Sequence, residues 1–96
     1  ANDLEWQDAG ETYMQGTRIK VLREDTGGKT VLLKIPAGFH QEAHSHLRTE
    51  QHFVLQGAYE MEHTHCPQGT YQLIHKNSTH GPITSKGGAE ILVVWH

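Results

Sequence analysis

One cysteine, Cys66, stands in the 96 residues, so no disulfide can close within the chain. Lysine and arginine together number only eight and nowhere cluster, so no basic face marks a nucleic-acid partner. No apolar run approaches the roughly 18 residues that a membrane helix needs. No secretory leader pattern is present, and the chain opens on Ala1 without Met, compatible with Met excision and with removal of a leader alike. The expected compartment is the cytoplasm, with a periplasmic or secreted mature form also compatible. Hydrophobic residues make up 35%, low for a globular domain and in keeping with a small barrel that has a polar lumen. No segment carries a helical period, and neither an internal repeat nor a low-complexity linker interrupts residues 1–96. A chain of this length makes one domain with a modest core.

What the chain does have is strand-sized segments between turn signals. Arg18 to Arg23 alternates polar and apolar at period two, the pattern of a half-buried strand. Glu24 to Gly28 is a turn cluster, Thr30 to Ile35 a second strand, and Pro36-Ala37-Gly38 ends it. Further strands are expected at Ala58 to His63, Thr70 to Ile74 and Ala89 to Trp95, with a turn at Gly57 and a loop over His65 to Gly69. Ala1 to Gly16 is polar, with Trp6 as its one large anchor packing on the edge of the barrel. Short strands, frequent turns and no helix indicate a closed or two-sheet β architecture.

Nine histidines are the compositional outlier, and they concentrate near Gly38 to Gly57. His44 and His46 stand two apart, so on a strand both imidazoles share one face. A turn over Leu47 to Thr49 then lets Glu50, opening the returning strand, face the same space. Imidazole nitrogens and one carboxylate converging on a point suit a transition metal, not calcium.

The spacing Gly38, five residues, His44-x-His46, three residues, Glu50, six residues, Gly57 resembles the first motif of the cupin superfamily. A looser counterpart of the second cupin motif begins at Gly69 and reaches His80; His75, Asn77 and Thr84 stand where that motif has proline, glycine and asparagine. Asn77 is a physically reasonable stand-in for glycine, because asparagine tolerates a left-handed backbone. The resemblance implies an all-β jelly-roll barrel of two packed antiparallel sheets, and it adds His80 as a fourth ligand beside His44, His46 and Glu50. It implies one divalent transition-metal ion per chain (iron, zinc, nickel or manganese), a small-molecule ligand in the barrel, and a homodimer formed by pairing barrels edge to edge. Within the superfamily the chain is most similar to the cupin domain of zinc-dependent anti-sigma factors and to acetylacetone-cleaving dioxygenases. The residues that carry this are Trp6, Leu32 to Gly38, Val54 to Gly57, Pro67 to Tyr71 and His80-Gly81-Pro82. The function so implied is a metal-dependent oxidoreductase of dioxygenase type on a small organic substrate. The alternatives are a zinc-binding sensor module without catalysis and a metal-dependent isomerase or lyase.

Other residues could complete the site. His52 shares parity with Glu50 and is either a catalytic proton shuttle or a histidine packed on the barrel wall. His40 and Glu42 are expected on a solvated rim, and Tyr59 and Tyr71 as core or rim aromatics. His63 and His65 read as a polar hairpin end, with a second metal site as the less favoured alternative, and Cys66 as an exposed, oxidisable thiol. His75 and His96 are expected on the surface.

Overall fold

The computed structural model describes residues 5–45 and 47–96. Its elements are β1 (Gln7–Asp8), β2 (Arg18–Asp25), β3 (Gly28–Ile35), β4 (Phe39–Gln41), β5 (His44–Ser45), β6 (Glu50–Met61), β7 (Thr64–Pro67), β8 (Tyr71–Ile74), β9 (Thr79–His80), β10 (Ile83–Ser85) and β11 (Ala89–Trp95). Among the described residues there is no helix, and so none that could cross a membrane. All pairings are antiparallel, in the order β1-β2-β3-β11-β6-β10-β4, with β7 and β8 also on β6 and a separate pair β5-β9. The architecture is a jelly-roll barrel in which a curled sheet closes over the small second one.

Strand β6 organises the barrel. Its first half pairs with β11 and β8, and its second half with β10 and β7. Along the first half Glu50, His52 and Val54 are buried; along the second half Tyr59 and Met61 are. The inward face therefore switches from even to odd positions. The cause is a bulge: opposite β11, Ile91 pairs with Val54 but Glu90 pairs with Gln56, leaving Leu55 as an extra residue. Gly57 follows with φ of 73°, and a Cβ there would lie 2.3 Å from the Gly88 carbonyl oxygen, so only glycine fits. The expected turn at Gly57 is thus a bend within one long strand.

The core lies between the walls: Val31, Leu33 and Ile35 of β3, Val54 and Tyr59 of β6, and Ile91 and Val93 of β11 are buried, with Phe39 and Ile83 closing one side. Each such aliphatic side chain contributes roughly 1.5–3 kcal/mol by leaving water, which is why β3, β11 and β6 sit side by side at the centre. Outside, Phe53, Leu55, Tyr71 and Leu73 remain exposed. Trp6 packs on the outer wall, with the ammonium groups of Lys20 and Lys34 each 4.7 Å from a ring centroid.

Several boundaries differ from expectation. The strand expected to reach His63 ends at Met61, and Glu62 and His63 form a two-residue turn with φ of 52° and 70°. Such left-handed pairs are usually Asn-Gly, so Glu-His gives no turn signal. The expected loop over His65 to Gly69 is largely strand β7, whose partner is the second half of β6. That pairing turns Cys66 inward and His65 outward: Cys66 is fully buried, correcting the expectation of an exposed thiol. Asn77 adopts the left-handed φ of 65° expected for a glycine substitute.

Candidate metal centre

His44 and His80 arrive from different parts of the chain and meet as direct cross-strand partners of β5 and β9. Their ring centroids lie 4.4 Å apart, tilted by 54°. The Nδ1 of His44 is 2.9 Å from the carbonyl oxygen of Glu42. A carbonyl only accepts, so Nδ1 carries the proton, and in the neutral ring the lone pair stays on Nε2. This is the tautomer a metal ligand needs. His80 is buried. His46 lies outside the described residues, and among the described residues no three His, Cys, Asp or Glu side chains gather into a metal-binding group.

Glu50 is 5% exposed, and donors from two strands hold its carboxylate. The indole Nε1–H of Trp95, its cross-strand partner on β11, donates to Oε1 at 2.9 Å. His52 Nε2 lies 2.5 Å from Oε2. On its other side His52 Nδ1 is 2.9 Å from the Tyr59 hydroxyl. A carboxylate accepts, so Nε2 donates to Glu50 and Nδ1 accepts the Tyr59 O–H. Burial first, then the charges of Cys66 and Glu50, pushes the Tyr59 phenol well above the ordinary tyrosine value, which keeps that proton in place. The relay Tyr59–His52–Glu50–Trp95 depends on the bulge. Residues seven apart lie on opposite faces of a regular strand, and the extra residue returns Tyr59 to the face of His52.

His44, Glu50, His52 and Tyr59 line one void, with Tyr13, Gln41 and an apolar wall that includes Leu33, Phe39, Ile91 and Val93. Its volume is about 20 Å³, room for about one water. Burial first, then the charge of Glu50, raises the Tyr13 phenol to about 12.

The structure therefore brings His44, Glu50 and His52 to one lumen, places His80 against His44, and turns the His52 ring inward. Trp95 and Tyr59 complete the arrangement, and neither was legible as a partner of Glu50 or His52. Trp95 is 45 residues from Glu50 and reaches it only through strand register. Among the described residues the other histidines do not join. His40 is exposed and bonded to Glu42 at 2.8 Å, and His65 is exposed and bonded to Glu60 at 2.5 Å. His63 sits in a turn, and Cys66 faces the core, its thiol pushed up by burial.

In kind, the donors fit a divalent transition metal: a histidine with its tautomer fixed, a second imidazole beside it, and a buried carboxylate oriented by hydrogen-bond donors.

A family model described as the ChrR cupin-like domain matches residues 1–96. No functionally curated protein sequence matches the chain. Among solved structures, the chain is similar to that of Rhodobacter sphaeroides SigE in complex with the anti-sigma ChrR, at 26% identity and a TM-score of 0.79 over 99% of this chain and 51% of that one. This chain thus spans about half the length of that relative. It is also similar to an acetylacetone dioxygenase from Acinetobacter johnsonii, at 16% identity and a TM-score of 0.82 over 94% of this chain and 66% of that one. The polyketide cyclase RemF from Streptomyces resistomycificus matches at 17% identity and a TM-score of 0.82 over 97% of this chain and 73% of that one. At these last two identities the likeness is one of fold, whereas the family model spans every residue from Ala1 to His96: the chain belongs to the ChrR cupin-like family.

Proposed function

We propose that this chain is a metal-holding cupin module that binds one divalent transition-metal ion through His44, His46, Glu50 and His80 and presents it to a small ligand in the lumen. The observation that carries this is the treatment of Glu50. A buried carboxylate is costly to desolvate, yet here it is kept and aimed by Trp95 and His52 beside a histidine whose Nδ1 is fixed on the Glu42 carbonyl. A bound ion would supply Lewis acidity and open coordination positions for the ligand. The protein's own part is to fix the donors, to wall the site with apolar side chains, and to hold a proton on Tyr59 and His52 within reach of Glu50.

The void of about 20 Å³ supports a small ligand over an organic substrate, and so favours the binding or sensing module over the dioxygenase. The similarity to ChrR points the same way. The relay Tyr59–His52–Glu50 favours a second reading, a metal-dependent dioxygenase in which His52 moves the proton. An isomerase or lyase has no observation of its own in its favour. In either favoured case we expect a homodimer, because the edge strands of so small a barrel need cover.

Metal analysis of protein purified without added metal, joined to oxygen-uptake measurements with acetylacetone, separates these readings. Tightly held zinc without oxygen uptake supports the binding module. Iron with oxygen uptake supports the dioxygenase. Protein that neither carries nor takes up any divalent metal refutes both.

A further inference from the structure

Every described residue that lines the lumen void belongs to a barrel strand except Tyr13. Tyr13 sits at the middle of the loop from Gly10 to Gly16, and it is the one residue of that loop not exposed to solvent. The loop's hydrogen bonds close on itself and its base. Ala9 N–H donates to the Thr17 carbonyl at 3.1 Å, Tyr13 N–H to the Gly10 carbonyl at 3.3 Å, and Thr17 N–H and Oγ1 to the Met14 carbonyl at 3.1 and 2.7 Å. Gly10 N–H is held by Asp8 Oδ1 at 2.8 Å. The ring of Tyr13, packed against the core, is the side chain at the middle of the loop that ties it to the barrel. Glycines with positive φ stand at both ends, Gly10 at 96° and Gly16 at 98°. A loop with a pinned base, glycine ends and one inserted ring can lift that ring without disturbing any sheet pairing.

We propose that Tyr13 is the gate of the lumen: the Gly10–Gly16 loop lifts this ring to admit a ligand and, when closed, excludes anything much larger than a few atoms from the face of His44, Glu50 and His52. The ligand class is a small molecule or anion of a few atoms rather than a ring compound. The size argument rests on the metal-holding role proposed above, whereas the gating itself needs only the geometry of the loop.

Two arms of one experiment keep these apart. In the first, diethylpyrocarbonate modification of His52 is followed by mass spectrometry, with exposed His65 as the internal reference; their side chains are 6% and 62% exposed. Tyr13→Ala removes the plug. Gly10→Ala meets no atom within 4 Å but must hold a left-handed φ, so it disfavours the closed loop without a clash. The His52 rate relative to His65 is expected to rise on the order of tenfold in both, from the penalty for a non-glycine residue at positive φ and from the lost ring. Tyr13→Phe, which keeps the ring, stays at the wild-type ratio. If Tyr13→Ala does not fold, as judged by circular dichroism, Gly10→Ala decides. A His52 ratio unchanged in the folded variants overturns the gate.

The second arm loads wild type and Tyr13→Ala with cobalt and adds azide or benzoate, reading the visible absorption of the metal. Azide is expected to perturb both proteins and benzoate only Tyr13→Ala. Benzoate binding equally to wild type overturns the size limit. Protein that takes up no cobalt refutes the metal-holding role, and the His52 arm still judges the gate.

Discussion

Trp95→Phe isolates the bond that aims the candidate ligand carboxylate. The indole N–H donates to Glu50 at 2.9 Å, and the carboxylate is buried. Phenylalanine keeps an aromatic ring on β11 but donates nothing, so Oε1 loses a partner it cannot replace from water. Deleting a hydrogen bond to a buried charged group costs roughly 1.5–3 kcal/mol. The smaller ring adds little, because Trp95 is only half-buried. For a domain of this size a loss of about 2 kcal/mol lowers Tm by roughly 8–16 °C. Loss of a residue that orients a metal ligand weakens metal binding by roughly 10–100-fold. Stability is read by urea unfolding in the presence of a chelator, and affinity by competition against a chromophoric chelator. The double variant with Glu50→Gln then tests whether the effect runs through the carboxylate. A coupling of about 1–2 kcal/mol is expected, and one below about 0.5 kcal/mol would refute the reasoning.

Four further outcomes follow from the same geometry. His44→Ala and His80→Ala should each strip most of the metal from a barrel that stays folded, and Glu50→Gln should weaken and retune the metal by removing its only anionic ligand; full metal content in all three places the site elsewhere. His52→Gln keeps a donor for Glu50 but no titrating ring, so metal content at saturating metal should hold while the pH profile of ligand binding or turnover changes; an unchanged profile removes the relay role. The Tyr13 phenol is raised to about 12 from 10.0, so its stabilisation is full below pH 10 and is lost as pH rises toward 12. Urea unfolding across that range should show a shallower alkaline decline in Tyr13→Phe than in wild type, and equal slopes would contradict the shift. Sedimentation at micromolar concentration should give a dimer, and a monomer there ends that proposal.

The extent to which the sequence disclosed this molecule follows from the range of the forces involved. Strands β2, β3, β8 and β11 were legible because alternation and turn residues are local, and each lies within two residues of its expected bounds. The very short β4, β5, β9 and β10 carry too few residues for a period and exist only through their cross-strand partners. His44 and Glu50 were legible together because each opens a strand facing one space, and His52 by its parity with Glu50. His80 came from resemblance alone, and the structure sets it beside His44 by β5–β9 pairing. Trp95, Tyr59 and Tyr13 were not legible as parts of the lumen. Their approach is fixed by register, by a bulge and by a loop, none of which leaves a spacing to read. Cys66 was misjudged because its neighbours Thr64, His65 and Pro67 look like loop residues, and only pairing with the second half of β6 turns the thiol inward.

The bulge at Leu55 and Gly57 behaves as a frameshift written into a strand. Upstream of it the even positions face inward; downstream the odd ones do. Straightening the strand with every residue kept would give each downstream side chain the opposite face: Tyr59 and Met61 would turn to solvent and Glu60 would enter the core. Removing Leu55 instead closes the bulge with Tyr59 and Met61 still inward, because their separation from His52 becomes regular. A relative that lacks the extra residue therefore keeps the same polar and apolar order beyond it, one position earlier. Aligning such chains without a gap at the bulge would superimpose the inner wall of one barrel on the outer wall of the other.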